Sequence, residues 1–123
     1  MAQKTILLVD DEESLLKIIQ IRLKASGYLV EVAVDGEEAL QKARHLQPDL
    51  IILDVMLPKM EGYKVCQMLK FDEQYRHIPI ILLTARAQES DREMGKQTGA
   101  DLFMTKPFDT AVLLSEIQRL THG

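Results

Sequence analysis

The sequence predicts an α/β domain in which helices cover both faces of a parallel sheet. Short apolar segments alternate with amphipathic segments along the 123 residues, and this alternation is typical of parallel strands joined by crossover helices. The length fits one domain, because domains most often contain roughly 100–150 residues. We therefore expect residues 1–123 to form a single domain with five strands.

Five segments are predicted as strands. Those at 6–9, 50–53 and 80–83 contain only Ile, Leu and Val, which is the pattern of strands buried on both faces. The segment at 30–34 includes Glu31 and is expected nearer the edge of the sheet. The fifth strand is predicted at 102–104.

Helical patterns occupy the intervals. Apolar residues recur at four-residue spacing between 15 and 23, and Gly27 is placed to end this first helix. Asp35 and Glu38 form an acidic variant of the capping box, which opens the second helix. Three more helices are predicted, at about 62–71, at about 91–97 and around 113–120.

Composition excludes several classes of protein. The net charge is −4 and Lys and Arg are dispersed, so direct nucleic-acid binding by this segment is not expected. The single cysteine, Cys66, cannot form an intramolecular disulfide and is expected to be a buried apolar residue. No apolar run approaches the roughly 20 residues that span a bilayer. We expect a cytoplasmic protein without a membrane segment.

Polar residues stand where the apolar segments end. They are Asp10 and Asp11 after the first segment, Asp54 after the third, Thr84 after the fourth and Lys106 after the fifth. Ligands of open parallel sheets bind beyond the carboxyl ends of the strands. Asp at a strand–helix junction is often only a helix cap, but helix capping does not explain all five residues at one sheet end.

These residue types suit phosphoryl transfer. Clustered carboxylates repel one another unless a cation joins them, and oxygen ligands of this kind favour Mg²⁺. Asp54 would then be the nucleophile, while Lys106 and the Thr84 hydroxyl would contact the phosphoryl oxygens.

Four motifs in order resemble the receiver domains of two-component response regulators. They cover residues 6–12, 54–62, 83–86 and 99–108, and the resemblance extends over essentially the whole chain. It implies a flavodoxin-like sheet with strand order 2-1-3-4-5. It also implies that a histidine kinase or phosphotransfer protein phosphorylates Asp54, so that the chain is a signalling domain rather than an enzyme.

The resemblance implies further roles. Asp10 and Asp11 would bind Mg²⁺, for which Mn²⁺ is an alternative, and Met56 would contribute its backbone carbonyl. Lys106 would contact the phosphoryl group, and its bond to Pro107 would be cis, which is uncommon even before proline.

The resemblance also implies a switch. Thr84 would move toward the phosphate and Phe103 would turn inward, changing a surface made of the fourth helix, the fifth strand and the last helix. Met56 and Arg86 flank the site at positions that tune the phosphate lifetime in receivers. The predicted partners of the switch surface are an effector protein or domain and a second copy in a phosphorylation-dependent homodimer.

Two residues depart from the receivers of winged-helix transcription factors, which the segment 84–86 otherwise resembles. Leu102 replaces an acidic residue and Glu116 replaces an arginine. Those receivers dimerise through charged pairs, so the loss of this acid–arginine pair weakens the case for the same dimer here. An alternative is a receiver-like binding module that is never phosphorylated, although no key residue is missing. A phosphatase with an aspartyl nucleophile is disfavoured, because Met56 stands where its general acid would be.

Overall fold

A computed structural model describes residues 3–85 and 97–122. Five parallel strands form one sheet in the order β2-β1-β3-β4-β5, which is the predicted flavodoxin-like arrangement. The strands are β1 (Thr5–Val9), β2 (Leu29–Ala33), β3 (Leu50–Asp54), β4 (Ile80–Thr84) and β5 (Leu102–Thr105). The helices are α1 (Glu13–Ala25), α2 (Gly36–Leu46), α3 (Gly62–Lys70) and α4 (Thr110–His122).

The sheet separates two hydrophobic clusters. Alternate side chains of a strand point to opposite faces, so Leu7 and Leu53 pack toward α2 and α3, whereas Leu8 and Ile52 pack toward α1 and α4. Each such side chain contributes about 1.5–3 kcal/mol when fully buried. The central strands β3 and β4 are buried along their whole length, which explains their continuous apolar sequences.

The element boundaries follow the predicted signals with small shifts. Strand β2 lies at the edge as expected and begins one residue earlier than predicted. Gly27 follows α1 with φ of 95°, a conformation that glycine adopts readily. The fourth predicted helix, at 91–97, falls almost wholly outside the described residues.

The capping box at α2 differs from its expected form. Asp35 Oδ1 accepts a hydrogen bond from the Glu38 N–H at 2.8 Å, as predicted. Glu38 Oε1, however, accepts from the N–H of Val34 at 2.9 Å, whereas a capping box would use the N–H of Asp35. The Glu38 side chain therefore reaches beyond the cap to the residue that follows β2.

An ion pair between a largely buried lysine and a partly exposed aspartate ties α3 to the starts of β4 and β5. Lys70 Nζ lies 2.6 Å from Asp101 Oδ2 and also donates to the carbonyl oxygens of Ile78 at 2.7 Å and Arg76 at 3.1 Å. The same Asp101 oxygen accepts from the N–H of Ile80 at 2.8 Å. Because the Lys70 side chain is only 9% exposed, these oxygens take the place of water around its ammonium group.

Cys66 is buried, as predicted. Its thiol donates to the carbonyl oxygen of Thr98, with 3.6 Å between sulfur and oxygen. Burial raises the pKa of the Cys66 thiol to about 11, because the thiolate would lose its hydration.

Within residues 3–85 and 97–122, no helix combines the length and the apolar character that a bilayer span requires.

Candidate functional site

The predicted polar residues lie at one edge of the sheet. Asp10 follows β1, Asp54 ends β3, Thr84 ends β4, and Lys106 follows β5. All four strands are parallel and in register, so their carboxyl ends meet. Asp10 is 1% exposed and Asp54 is 5% exposed, which is unusual for ionisable residues and requires partners.

Lys106 joins the two buried carboxylates. Its Nζ lies 2.8 Å from Asp10 Oδ2 and 3.1 Å from Asp54 Oδ2. The second oxygen of each carboxylate accepts a backbone hydrogen bond, Asp10 from the N–H of Glu12 at 2.9 Å and Asp54 from the N–H of Met56 at 3.2 Å. Both carboxylates are therefore held in one orientation.

Asp11 completes an acidic cluster. Carboxylate oxygens of Asp10, Asp11 and Asp54 lie within 4.8 Å of one another. Within the described part of the chain, this cluster sets three carboxylates against the single ammonium of Lys106. The excess negative charge and the all-oxygen donor set fit a small divalent cation such as Mg²⁺.

The electrostatics of the site follow from burial and crowding. Burial raises the pKa of Asp54, and the neighbouring Asp10 charge raises it further, against the opposing effect of Lys106. Burial alone would lower the pKa of Lys106, but its hydrogen bonds to Asp10 and Asp54 outweigh burial and raise it. Lys106 is thus held in its charged form.

Two glycines allow close backbone contacts beside the site. A Cβ atom at Gly62 would collide with the backbone oxygen of Asp54, and one at Gly36 would collide with the backbone oxygen of Met60. The N–H of Gly62 donates to the carbonyl of Val55 at 2.9 Å. Sequence reasoning included Gly62 in a motif but missed Gly36, whose contact lies 24 positions away in the chain.

The remaining predicted residues are those assigned to the switch, to the cis peptide bond and to the phosphate lifetime. Thr84 is buried, and its carbonyl accepts from the Lys106 N–H at 2.6 Å. Phe103 is half-buried and packs with the cluster on the α2 and α3 face. The predicted cis peptide bond between Lys106 and Pro107 is present. Arg86 lies outside the described residues.

The departures noted at the predicted switch surface have local partners. Leu102 is half-buried against the cluster on the α1 and α4 face. Glu116 Oε2 lies 2.6 Å from the guanidinium of Arg119, one turn along α4.

Residues 6–118 match the family described as response regulator receiver domain. The chain belongs to this family. As a receiver domain, it is a signalling domain of two-component systems, and the acidic cluster with its bridging lysine lies where the four family motifs converge.

Similar proteins agree with this assignment. The chain is 53% identical, over 105 residues that make up 85% of it, to the alkaline phosphatase synthesis transcriptional regulatory protein PhoP of Bacillus subtilis. This receiver domain covers 43% of that relative and between 26% and 48% of other curated relatives.

Two solved structures share the fold over nearly their full length. The chemotaxis response regulator CheY4 of Vibrio cholerae superposes with a TM-score of 0.90 at 36% identity, covering 97% of this chain and 99% of that chain. The receiver domain of the sensor histidine kinase PA1611 from Pseudomonas aeruginosa gives 0.91 at 35% identity, covering 99% and 100%. The latter structure has a magnesium ion coordinated in its active-site cleft.

Proposed function

We propose that this receiver domain accepts a phosphoryl group on Asp54 from a phosphohistidine of a partner kinase or phosphotransfer protein. The observation that carries the proposal is the position of Asp54. Its buried carboxylate lies 3.1 Å from Lys106 and within 4.8 Å of two further carboxylates. A buried carboxylate with a fixed cation on one side and an acidic cluster on the other suits nucleophilic attack on phosphorus.

The transfer requires little besides positioning. A carboxylate oxygen of Asp54 forms a bond to phosphorus as the bond from phosphorus to the histidine nitrogen breaks, and the imidazole keeps the electron pair of that bond and takes up a proton from water. Asp54 itself gives up no proton, because it reacts as the carboxylate. Lys106 binds the phosphoryl oxygens and stabilises their charge.

The acidic cluster would hold the metal. Asp10, Asp11, Asp54 and the backbone carbonyl of Met56 are the proposed ligands. Mg²⁺ bound there would neutralise charge on the incoming phosphoryl group, and Mn²⁺ is expected to substitute for it. Met56 can serve in this way because only its carbonyl is required, and its side chain is 70% exposed.

Phosphorylation would be read on a neighbouring surface. We assign Thr84 to contact the phosphate and Phe103 to respond by rotation, which changes the surface made of β5, α4 and the predicted helix at 91–97. An effector protein or domain would bind there, and a second copy of the domain, forming a homodimer, is the alternative partner. With such partners, the domain would act in the cytoplasm.

Met56 and Arg86 would set the phosphate lifetime.

Phosphorylation can be tested without the native kinase. The protein is incubated with Mg²⁺ and acetyl phosphate, and intact mass is measured together with the lability of the adduct in base. We expect one phosphoryl group on the wild type and on the control Asp72→Asn, which changes an Asp in the α3–β4 loop. We expect none on Asp54→Asn. Equal modification of Asp54→Asn, or an unmodified wild type, would remove the proposal.

A further inference from the structure

Strand β2 is an edge of the sheet, and its outer side offers backbone groups to another strand. The N–H of Leu29 donates to Lys4 O at 2.9 Å, and Ala33 O accepts from the N–H of Asp10 at 3.2 Å, so these residues face β1. In a parallel pair every second residue faces the partner strand, so Glu31 also faces β1 and the alternate residues turn their N–H and C=O groups outward. The outward-facing residues are Val30, Val32 and, just beyond the strand, Val34.

Helix α2 covers two of these outward groups. Lys42 Nζ donates to Val32 O at 2.5 Å, and Glu38 Oε1 accepts from the Val34 N–H at 2.9 Å. Glu38 and Lys42 lie one turn apart on α2 and therefore project from the same side of the helix. At the edge of β2, Glu38 therefore acts as a hydrogen-bond acceptor and Lys42 as a hydrogen-bond donor.

The two covered groups, Val32 O and Val34 N–H, are among those that a second copy of β2 would need. An antiparallel pair with its two-fold axis at Val32 would join the N–H of each Val32 to the other's carbonyl oxygen. It would also join Val34 N–H of one copy to Val30 O of the other. Glu31 would then lie opposite Ala33, so that no like charges would face each other directly.

The edge also has apolar side chains that would favour such pairing. Leu29 is 50% exposed and Val34 is 46% exposed, and β2 has the sequence LVEVA. An uncovered edge strand of this composition is a template for pairing with another chain.

We propose that Glu38 and Lys42 form an edge guard, which prevents β2 of this receiver domain from pairing with β2 of a second copy. The guard acts by occupying Val32 O and Val34 N–H. It is independent of the phosphoacceptor site, because neither side chain contacts Asp10, Asp54 or Lys106 in the hydrogen bonds that define it.

The test removes the guard and measures self-association. The double variant Glu38→Ala with Lys42→Met is compared with the wild type by sedimentation equilibrium without phosphoryl donor, after circular dichroism has shown that it is folded. We expect the dimer dissociation constant to fall by at least about tenfold. Lys42→Leu with Glu38→Ala repeats the measurement with a different side chain, so a folding defect in one variant does not decide the result.

Two controls locate the effect. Adding Val32→Pro to the double variant removes an outward N–H, which proline at an edge strand tolerates, and it should abolish the new association. Lys17→Met, which removes an exposed lysine of α1, should leave self-association unchanged. Folded guard variants that associate no more than the wild type would overturn the proposal, as would association that survives Val32→Pro.

Discussion

Lys106 Nζ contacts Asp54 Oδ2 at 3.1 Å, so before any phosphorylation the ammonium group is bound to the carboxylate that is the proposed phosphoryl acceptor. The same ammonium is anchored by Asp10 at 2.8 Å. A phosphoryl group on Asp54 would therefore find its cationic partner in place, and Lys106 would need only to transfer a hydrogen bond from the carboxylate to the phosphoryl oxygens.

Replacing Lys106 with Met should slow phosphorylation by acetyl phosphate by roughly 10²–10³-fold, the usual loss when one charge-stabilising donor is removed. The rate is measured as the gain in phosphorylated mass with time at saturating Mg²⁺. Lys64→Met, which removes an exposed lysine of α3, serves as the matched control and should react at the wild-type rate. A Lys106→Met rate within a few-fold of wild type would argue against the proposed role.

Mg²⁺ should stabilise the fold. At a concentration 100 times the dissociation constant, a ligand that binds only the folded state adds about 2.7 kcal/mol to the free energy of unfolding. We expect Asp11→Asn to weaken Mg²⁺ binding at least about tenfold, while the metal-free variant should be at least as stable as wild type because one clustered charge is gone. Thermal unfolding across a Mg²⁺ titration measures both effects.

The control for this titration is Glu13→Gln, which neutralises another exposed acid, two positions along the chain from Asp11. It should keep the wild-type Mg²⁺ response. If Asp11→Asn and Glu13→Gln responded alike, the metal would not use Asp11.

The pair of Lys70 and Asp101 should contribute far more to stability than the exposed pair of Arg119 and Glu116. Lys70→Met should lower the free energy of unfolding by about 1.5–3 kcal/mol, because the largely buried Lys70 ammonium donates charge-assisted hydrogen bonds to the carbonyl oxygens of Ile78 and Arg76. Arg119→Met should cost less than about 1 kcal/mol, as is usual for exposed pairs. Urea unfolding measures both, and a double-mutant cycle with Asp101→Asn isolates the coupling. Equal losses for the two variants would contradict this ranking.

Alkaline pH should destabilise the fold through Cys66. The folded thiol has a pKa of about 11 against an ordinary value of 9.0, so the unfolded state loses its proton first and stability falls as pH rises from about 9 to about 11. The total change from this group is about 2–3 kcal/mol. Urea unfolding of wild type and Cys66→Ala should show a steeper loss in the wild type. Parallel pH profiles would show that the thiol does not titrate in this way.

Much of the fold followed from short-range patterns in the sequence. The apolar segments that became β3 and β4 are buried on both faces, and the charge at Glu31 marked β2 as an edge. The acidic cluster was predictable for the same reason, since Asp10, Asp54 and Lys106 each stand at the end of an apolar segment. Parallel topology then brings them together without further information.

Other contacts could not be predicted from sequence patterns. Lys42 and Lys70 have long side chains whose partners depend on how a helix lies against the sheet. No local sequence pattern predicts that Lys42 binds Val32 O or that Lys70 pairs with Asp101. Glu38 showed the same limit, because its position predicted a capping box but its side chain extends to Val34. The closeness of Gly36 to Met60 required the tertiary structure.

Two backbone hydrogen bonds hold the loop between β3 and α3, one at its middle and one that joins its two ends, while the Met56 side chain is 70% exposed. Gly36 donates to the carbonyl of Pro58 at 3.2 Å, and Gly62 donates to that of Val55 at 2.9 Å. A substitution at residue 56 by any residue except proline keeps the backbone N–H that donates to Asp54 Oδ1. If residue 56 sets the phosphate lifetime as proposed, a library varied only at this position should give synthetic signalling circuits whose response times differ while the rest of the domain is identical.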